Sequence, residues 1–265
     1  LRAVLSDGER IYLGPLSENV PCHIAMTIDG SEVLWRGGIR LAHGGSHGMN
    51  IAGGAMYDLR TSHRWKRPHL YAVDPDTGER QVFFTVENGA GRMGAGGSFA
   101  VVAFKGANRV RWYRIGPSLA EQKAIGEYWR VKQVEVRPVV EAEVAAPVDV
   151  AVDDEGGAYV ITGGQVVRLD RGGDRRTVVA ADALTDPYRL ELTAAGDELL
   201  VAEREGSHQV KRFALPQGEL VRAYGEPGGR SYGPYDPTSF RGLNDVAPDG
   251  HGGFWKRLLA YLIDW

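Results

Sequence analysis

Cysteine is almost missing from this chain. Cys22 stands alone among 265 residues, so no intrachain disulfide can form and a disulfide-stapled scaffold is excluded. No apolar run reaches the ~18 residues of a transmembrane helix, so none is expected. Neither sign of charge dominates: 31 Lys and Arg face 34 Asp and Glu, a net charge of -3. No global basic field therefore draws the chain to nucleic acid or to an anionic membrane. The first residues, Leu1-Arg2-Ala3, include neither a Met nor an apolar leader. A processed form or a fragment is expected, and an extracellular or periplasmic location is favoured over a cytoplasmic one. Motifs of common catalysts are missing as well: no Gly-x-Ser-x-Gly elbow, no Walker A loop and no Cys/His zinc pattern.

What the chain does have is glycine, 36 residues, about twice the ~7% average. The glycines sit mostly in pairs between short apolar runs, which is a turn-rich β composition. From Pro147 the pattern repeats in register. Pro147 to Val160, Pro187 to Val201 and Leu243 to Trp255 each read as an apolar alternation, a Gly/Asp turn and a second apolar run. That is a hairpin signature, and its recurrence points to a propeller or solenoid. Earlier turns fit the same scheme: Asp7-Gly8, Asp29-Gly30 and Asp74-Pro75-Asp76-Thr77-Gly78.

The segment from Pro147 to Trp255 resembles NHL-repeat β-propellers. The matching features are Pro-x-x-x-x-Val-Asp at the start of a unit, Gly-x-x-Tyr-Val after its turn, and Val210-Lys-Arg-Phe followed by Tyr224-Gly225. The resemblance covers roughly 110 residues well and the first 140 loosely. It implies an all-β β-propeller of four-stranded antiparallel blades, six of them with the last incomplete. The blades are expected at 1–41, 44–86, 94–140, 145–181, 187–225 and 242–265. Packing such sheets radially buries faces that one sheet alone cannot.

Candidate ligand-binding residues fall in two groups. Asp149, Arg189 and Asp245 share one register position in the three copies, with Asn244 beside the last. They are expected on one channel rim, as a polar ring for a small ligand or as strand-start residues that satisfy backbone groups. His43, His47 and Asn50 lie in a glycine-rich stretch read as a loop. A loop of that kind can present two imidazoles, but the Glu of a zincin motif is missing. Two basic stretches, Arg60 to Arg67 and Arg109 to Arg114, read as exposed faces. Asp153-Asp154 and Glu203/Glu205 read as solvated carboxylates, and His23 and His69 as structural.

The function expected is a binding module that uses one rim for a protein, peptide or carbohydrate ligand. The alternative is a metal-dependent propeller enzyme, lactonase-like or amidating-lyase-like. No resident cofactor is expected, calcium and zinc being the ions that reading would invoke. Nucleic acid and membrane are not expected partners, and a monomer is expected.

Overall fold

A computed structural model describes residues 3–14, 23–37, 46–62, 67–115, 137–229, 240 and 246. They form five four-stranded sheets, each antiparallel and in sequential order. The first holds β1 (Ala3–Ser6), β2 (Arg10–Gly14), β3 (His23–Thr27) and β4 (Val33–Gly37). The second holds β5 (Ser46–Ala52), β6 (Ala55–Ser62), β7 (Arg67–Val73) and β8 (Arg80–Thr85). The third holds β9 (Met93–Gly96), β10 (Phe99–Phe104), β11 (Arg109–Arg114) and β12 (Val140–Glu143). The fourth holds β13 (Val150–Val152), β14 (Ala158–Thr162), β15 (Gln165–Leu169) and β16 (Arg175–Val179). The fifth holds β17 (Pro187–Leu192), β18 (Glu198–Glu203), β19 (Val210–Ala214) and β20 (Glu219–Tyr224).

The first strands of successive sheets lie side by side, β1 with β5, β5 with β9, β9 with β13 and β13 with β17. That is the innermost layer of a β-propeller, and the sheets are its blades. Burial falls outward toward the outer strands whose side chains are described. β9 and β13 are buried throughout, whereas β20 is exposed at every residue before Tyr224. The cores lie between blades. Leu5, Tyr12 and Ala25 meet Met49, Met56 and Tyr71. Tyr57, Leu59 and Leu70 meet Met93, Ala100 and Val102. Val101, Val110 and Trp112 meet Val150, Ala158 and Val160. Tyr159, Ile161 and Val166 meet Leu190, Leu199 and Val201. Tryptophans also tie neighbouring blades: Trp112 Nε1 donates to Gly156 O at 2.9 Å, and Trp35 Nε1 to Pro75 O at 2.8 Å.

Five blades, rather than six, are built by the described residues. The sixth expected unit, 242–265, lies outside them except for Val246. Val246 and Phe240 are buried against Leu200, Ala202, Val210 and Tyr224, on the far face of the fifth blade. Val246 occupies the repeat position of Val150 and Leu190, each of which packs on the preceding blade.

Two boundaries differ from the sequence reading. The stretch read as a glycine-rich loop contains β5, an innermost strand. Its glycine is there for closeness, not mobility: a Cβ on Gly48 would stand 2.6 Å from the carbonyl oxygen of Met93 in the next blade. The third blade ends at Glu143, not at 140. β12 alternates half-buried and exposed residues, and Glu141 reaches across to β11.

Candidate functional site

A cavity of about 600 Å³ opens at one end of the channel, where each innermost strand turns into its partner. All five blades line it. Ser6, Asp7 and Gly8 come from the first hairpin turn, Asn50 and Ile51 from β5, and Ala95 and Gly96 from β9. The fourth blade supplies Val152 to Glu155 with Tyr159, Arg168 and Arg176, and the fifth supplies Glu191 to Gly196. A propeller produces this convergence for a topological reason. The same turn of every blade falls on the same face, so short polar turns distant in sequence share one mouth.

Two of the carboxylates here are fastened to their own turns. Asp7 Oδ1 accepts the amides of Glu9 at 2.9 Å and Arg10 at 2.6 Å, and its Oδ2 accepts the Tyr12 hydroxyl at 2.7 Å. Burial pushes the Asp7 carboxyl up, but the donors from Tyr12, Glu9 and Arg10 outweigh it and hold the pKa below the ordinary value. The reciprocal effect raises Tyr12, through burial first and its bond to Asp7 second. Asp153 accepts the Gly157 amide at 2.6 Å and Arg168 Nη2 at 2.8 Å. Arg168 lies 5.7 Å from the centre of the Tyr159 ring. Burial raises the Tyr159 phenol above its ordinary value. Asp154 and Glu155 are exposed at the rim.

Asn50 sits deeper. It is 6% exposed, and its Nδ2 donates to Met93 O at 3.0 Å. The carbonyl fixes which way the amide faces, because only the nitrogen can donate to it. Oδ1 is turned the other way and has no hydrogen-bond partner among the described residues. Of the candidate residues from the sequence whose side chains are described, Asn50 lines this cavity and Asp149 and Arg189 do not.

The others lie elsewhere. Asp149 is buried, and its Oδ2 accepts the Leu190 amide at 2.9 Å, which ties the fourth blade to the fifth. Arg189 is also buried. Its Nη1 donates to Tyr188 O at 2.8 Å and its guanidinium stacks 3.7 Å from the Tyr188 ring centre, a ring that Arg204 also approaches at 3.5 Å. Asp149 immediately precedes β13 and Arg189 lies in the first half of β17, away from the turns that line the cavity. Asn244, Asp245 and the His47 side chain lie outside the described residues, as does His43.

Three expectations of solvation are corrected. Arg60 is buried rather than part of an exposed basic face. It donates through Nε to Asp58, which also receives His23 Nε2 at 2.7 Å. This Arg–Asp–His cluster joins the first and second blades. Arg111 is buried and held by Glu141 at 2.5 Å and by Glu87, whereas Arg109 bonds Glu141 at 2.9 Å on the exposed side, as read. Glu203 is fully buried, accepting the Thr185 amide at 2.5 Å and the Ser207 hydroxyl, with Lys211 Nζ at 3.1 Å. A polar residue in a middle strand has little access to water and must find a partner in the protein, across the blade boundary for the Asp58 and His23 pair and within its own blade for Glu203 and Arg111.

Sequence reasoning missed Asp7, Asp153 to Glu155, Glu191, Tyr159, Arg168 and Arg176 as lining residues. The signal was present. Asp7, Asp153 and Thr193 all stand at the turn after an innermost strand, but that turn was read for its backbone alone.

No protein-family model matches the chain, and no curated protein matches it. Solved structures do. A protein of unknown function from Bacteroides thetaiotaomicron superposes with a TM-score of 0.61 at 11% identity, over 96% of this chain and 65% of that one. A chain of a nidogen/laminin complex gives 0.57 at 12% identity, over 92% and 85%. Virginiamycin B lyase from Staphylococcus aureus gives 0.54 at 11% identity, over 84% and 69%. The chain spans less than two thirds of the Bacteroides protein. At these identities the likeness is one of fold: the chain is a β-propeller, as its NHL-like repeats imply.

Proposed function

We propose that this propeller is a binding module that grips a ligand or a protein partner at the hairpin end of its channel. The supporting observation is the cavity of about 600 Å³ to which all five described blades contribute. Its volume falls within the range of small-molecule sites, and a few polar groups converge on it. The structural neighbours include both an enzyme and a component of a protein complex, so fold alone does not choose between the two classes. Among the described residues no group of three or more His, Cys, Asp or Glu could hold a metal ion, and nothing described favours the metal-dependent alternative.

Peptide and glycan arrays would be probed with the protein, and the hits measured by calorimetry. Binding should weaken by up to about tenfold in Asn50→Leu, the expected loss of one hydrogen bond. It should be unchanged in Leu220→Ser on the exposed outer strand β20. Hits that ignore Asn50→Leu would remove the cavity from the reading.

A further inference from the structure

We propose that residues 246–265 dock between the fifth and first blades and close the ring, whatever the cavity binds. The first blade carries the argument. One of its faces, with Leu5, Tyr12 and Ala25, is packed on the second blade. The other holds Val4, Ile11 and Leu13, which are 5%, 0% and 8% exposed. Among the described residues only Ile24, Met26 and Ile28 of the same blade pack with them. A sheet face open to water cannot hide Ile11 entirely, so a cover from outside the described residues lies on it.

The repeat says which face this is. Val4 pairs with Leu13 as Val150 pairs with Val160, and Asp7 follows the one pair as Asp153 follows the other. Val150 and Val160 pack on the preceding blade, the third. Val4 and Leu13 therefore face the place of a unit that precedes the first blade. The innermost strands follow one another from β1 to β17, so that place lies beyond the fifth blade. Val246 stands at its start: it is 1% exposed and packs with Leu200, Ala202 and Val210. Around it, Asp245-Val-Ala-Pro-Asp-Gly-His-Gly-Gly repeats Asp149-Val-Ala-Val-Asp-Asp-Glu-Gly-Gly without a gap. Further on, Leu258, Leu259, Leu262 and Ile263 supply apolar side chains for an aliphatic face. Two consequences follow from the register. Asp149 accepts the Leu190 amide of the next innermost strand, and Asp245 with Val4 is the corresponding pair. Asp249 and Trp255 repeat Asp153 and Tyr159, which line the cavity, so the closing unit supplies the cavity's remaining side.

Photo-crosslinking in the full chain tests this. Benzoylphenylalanine replaces Ile24, on the face in question, and in a second protein replaces Trp35, which bonds the Pro75 carbonyl of the second blade. Crosslinked peptides are mapped by mass spectrometry. The probe at position 24 should join peptides from 246–265, and the probe at position 35 should join peptides around Pro75. Crosslinks from position 24 to 15–22, 38–45, 116–136 or 230–239, or to a second chain, would overturn the assigned occupant. No crosslink from position 24, with position 35 reacting, would mean an open face and overturn the docking. Thermal melts give a second reading. Asp245→Ala should lower Tm by roughly 5 °C, as Asp149→Ala should, through loss of a charge-assisted bond between innermost strands. An unchanged Tm in Asp245→Ala would overturn the pairing of this unit with β1.

Discussion

Buried polar residues between blades govern much of the stability at the scale of single side chains. Asp58 is fully buried and neutralises Arg60, which is 2% exposed. Removing the carboxylate strands a buried guanidinium. Asp58→Ala should therefore cost about 3–5 kcal/mol, measured as a fall in the urea midpoint, whereas Asp76→Ala at an exposed ion pair should cost less than about 1 kcal/mol. His69 predicts a pH dependence. Burial first, and the nearby positive charge of Arg67 second, push its pKa down from 6.5 to about 4. Between those values the unfolded chain takes up a proton that the folded chain refuses. Stability should thus fall as pH drops from about 6.5 to about 4, by roughly 3 kcal/mol in all. In urea titrations across that window, His69→Gln should flatten the slope. An unchanged slope would assign the acid sensitivity to other groups.

The innermost strands pack so closely that one methyl group is too many. Gly48 on β5 faces the Met93 carbonyl of β9, with 2.6 Å left for a Cβ. Gly48→Ala should destabilise by about 1–3 kcal/mol, visible as a lower Tm. Gly54→Ala, in the adjoining turn, would meet no atom within 4 Å. Its cost should come only from its positive φ of 75°, about 1 kcal/mol. Sequence alternation had correctly placed most of these strands, because a half-buried strand writes its period into its side chains. It failed at β5, where glycine reflects a close backbone approach, and at β12, whose partner strand β11 is followed in the chain by a long connection. Neither cause is local, so neither leaves a local periodicity to read.

Radial stacking governs the whole molecule. Each blade buries its face on the next, and the far face of the fifth blade is buried by Phe240 and Val246. Phe240→Ala should cost about 3–5 kcal/mol and lower Tm, although the residue lies outside every described strand. An unchanged Tm would mean that the fifth blade does not depend on this cover. The same stacking decides the site. It carries Asn50 into the cavity with Asp7, Asp153 and Glu191, residues spread over four blades. It leaves Asp149 and Arg189 away from the cavity, and Asp149 joins blades by accepting the Leu190 amide.

Sequence alone determined the class of fold here. The hairpin period and the Asp-Gly turns are local properties, and each repeats often enough to be read. It also named Asn50 as a candidate, and the fold places that residue in the cavity lining. What only the tertiary structure decided is which polar residues face water and which face one another. Arg60 and Glu203 read as solvated and are buried; Asp7 and Asp153 read as turn residues and line the cavity. The reason is geometric. A repeat fixes the position of a residue within its own blade, but its surroundings come from the neighbouring blade, contributed by residues about forty positions away in the chain.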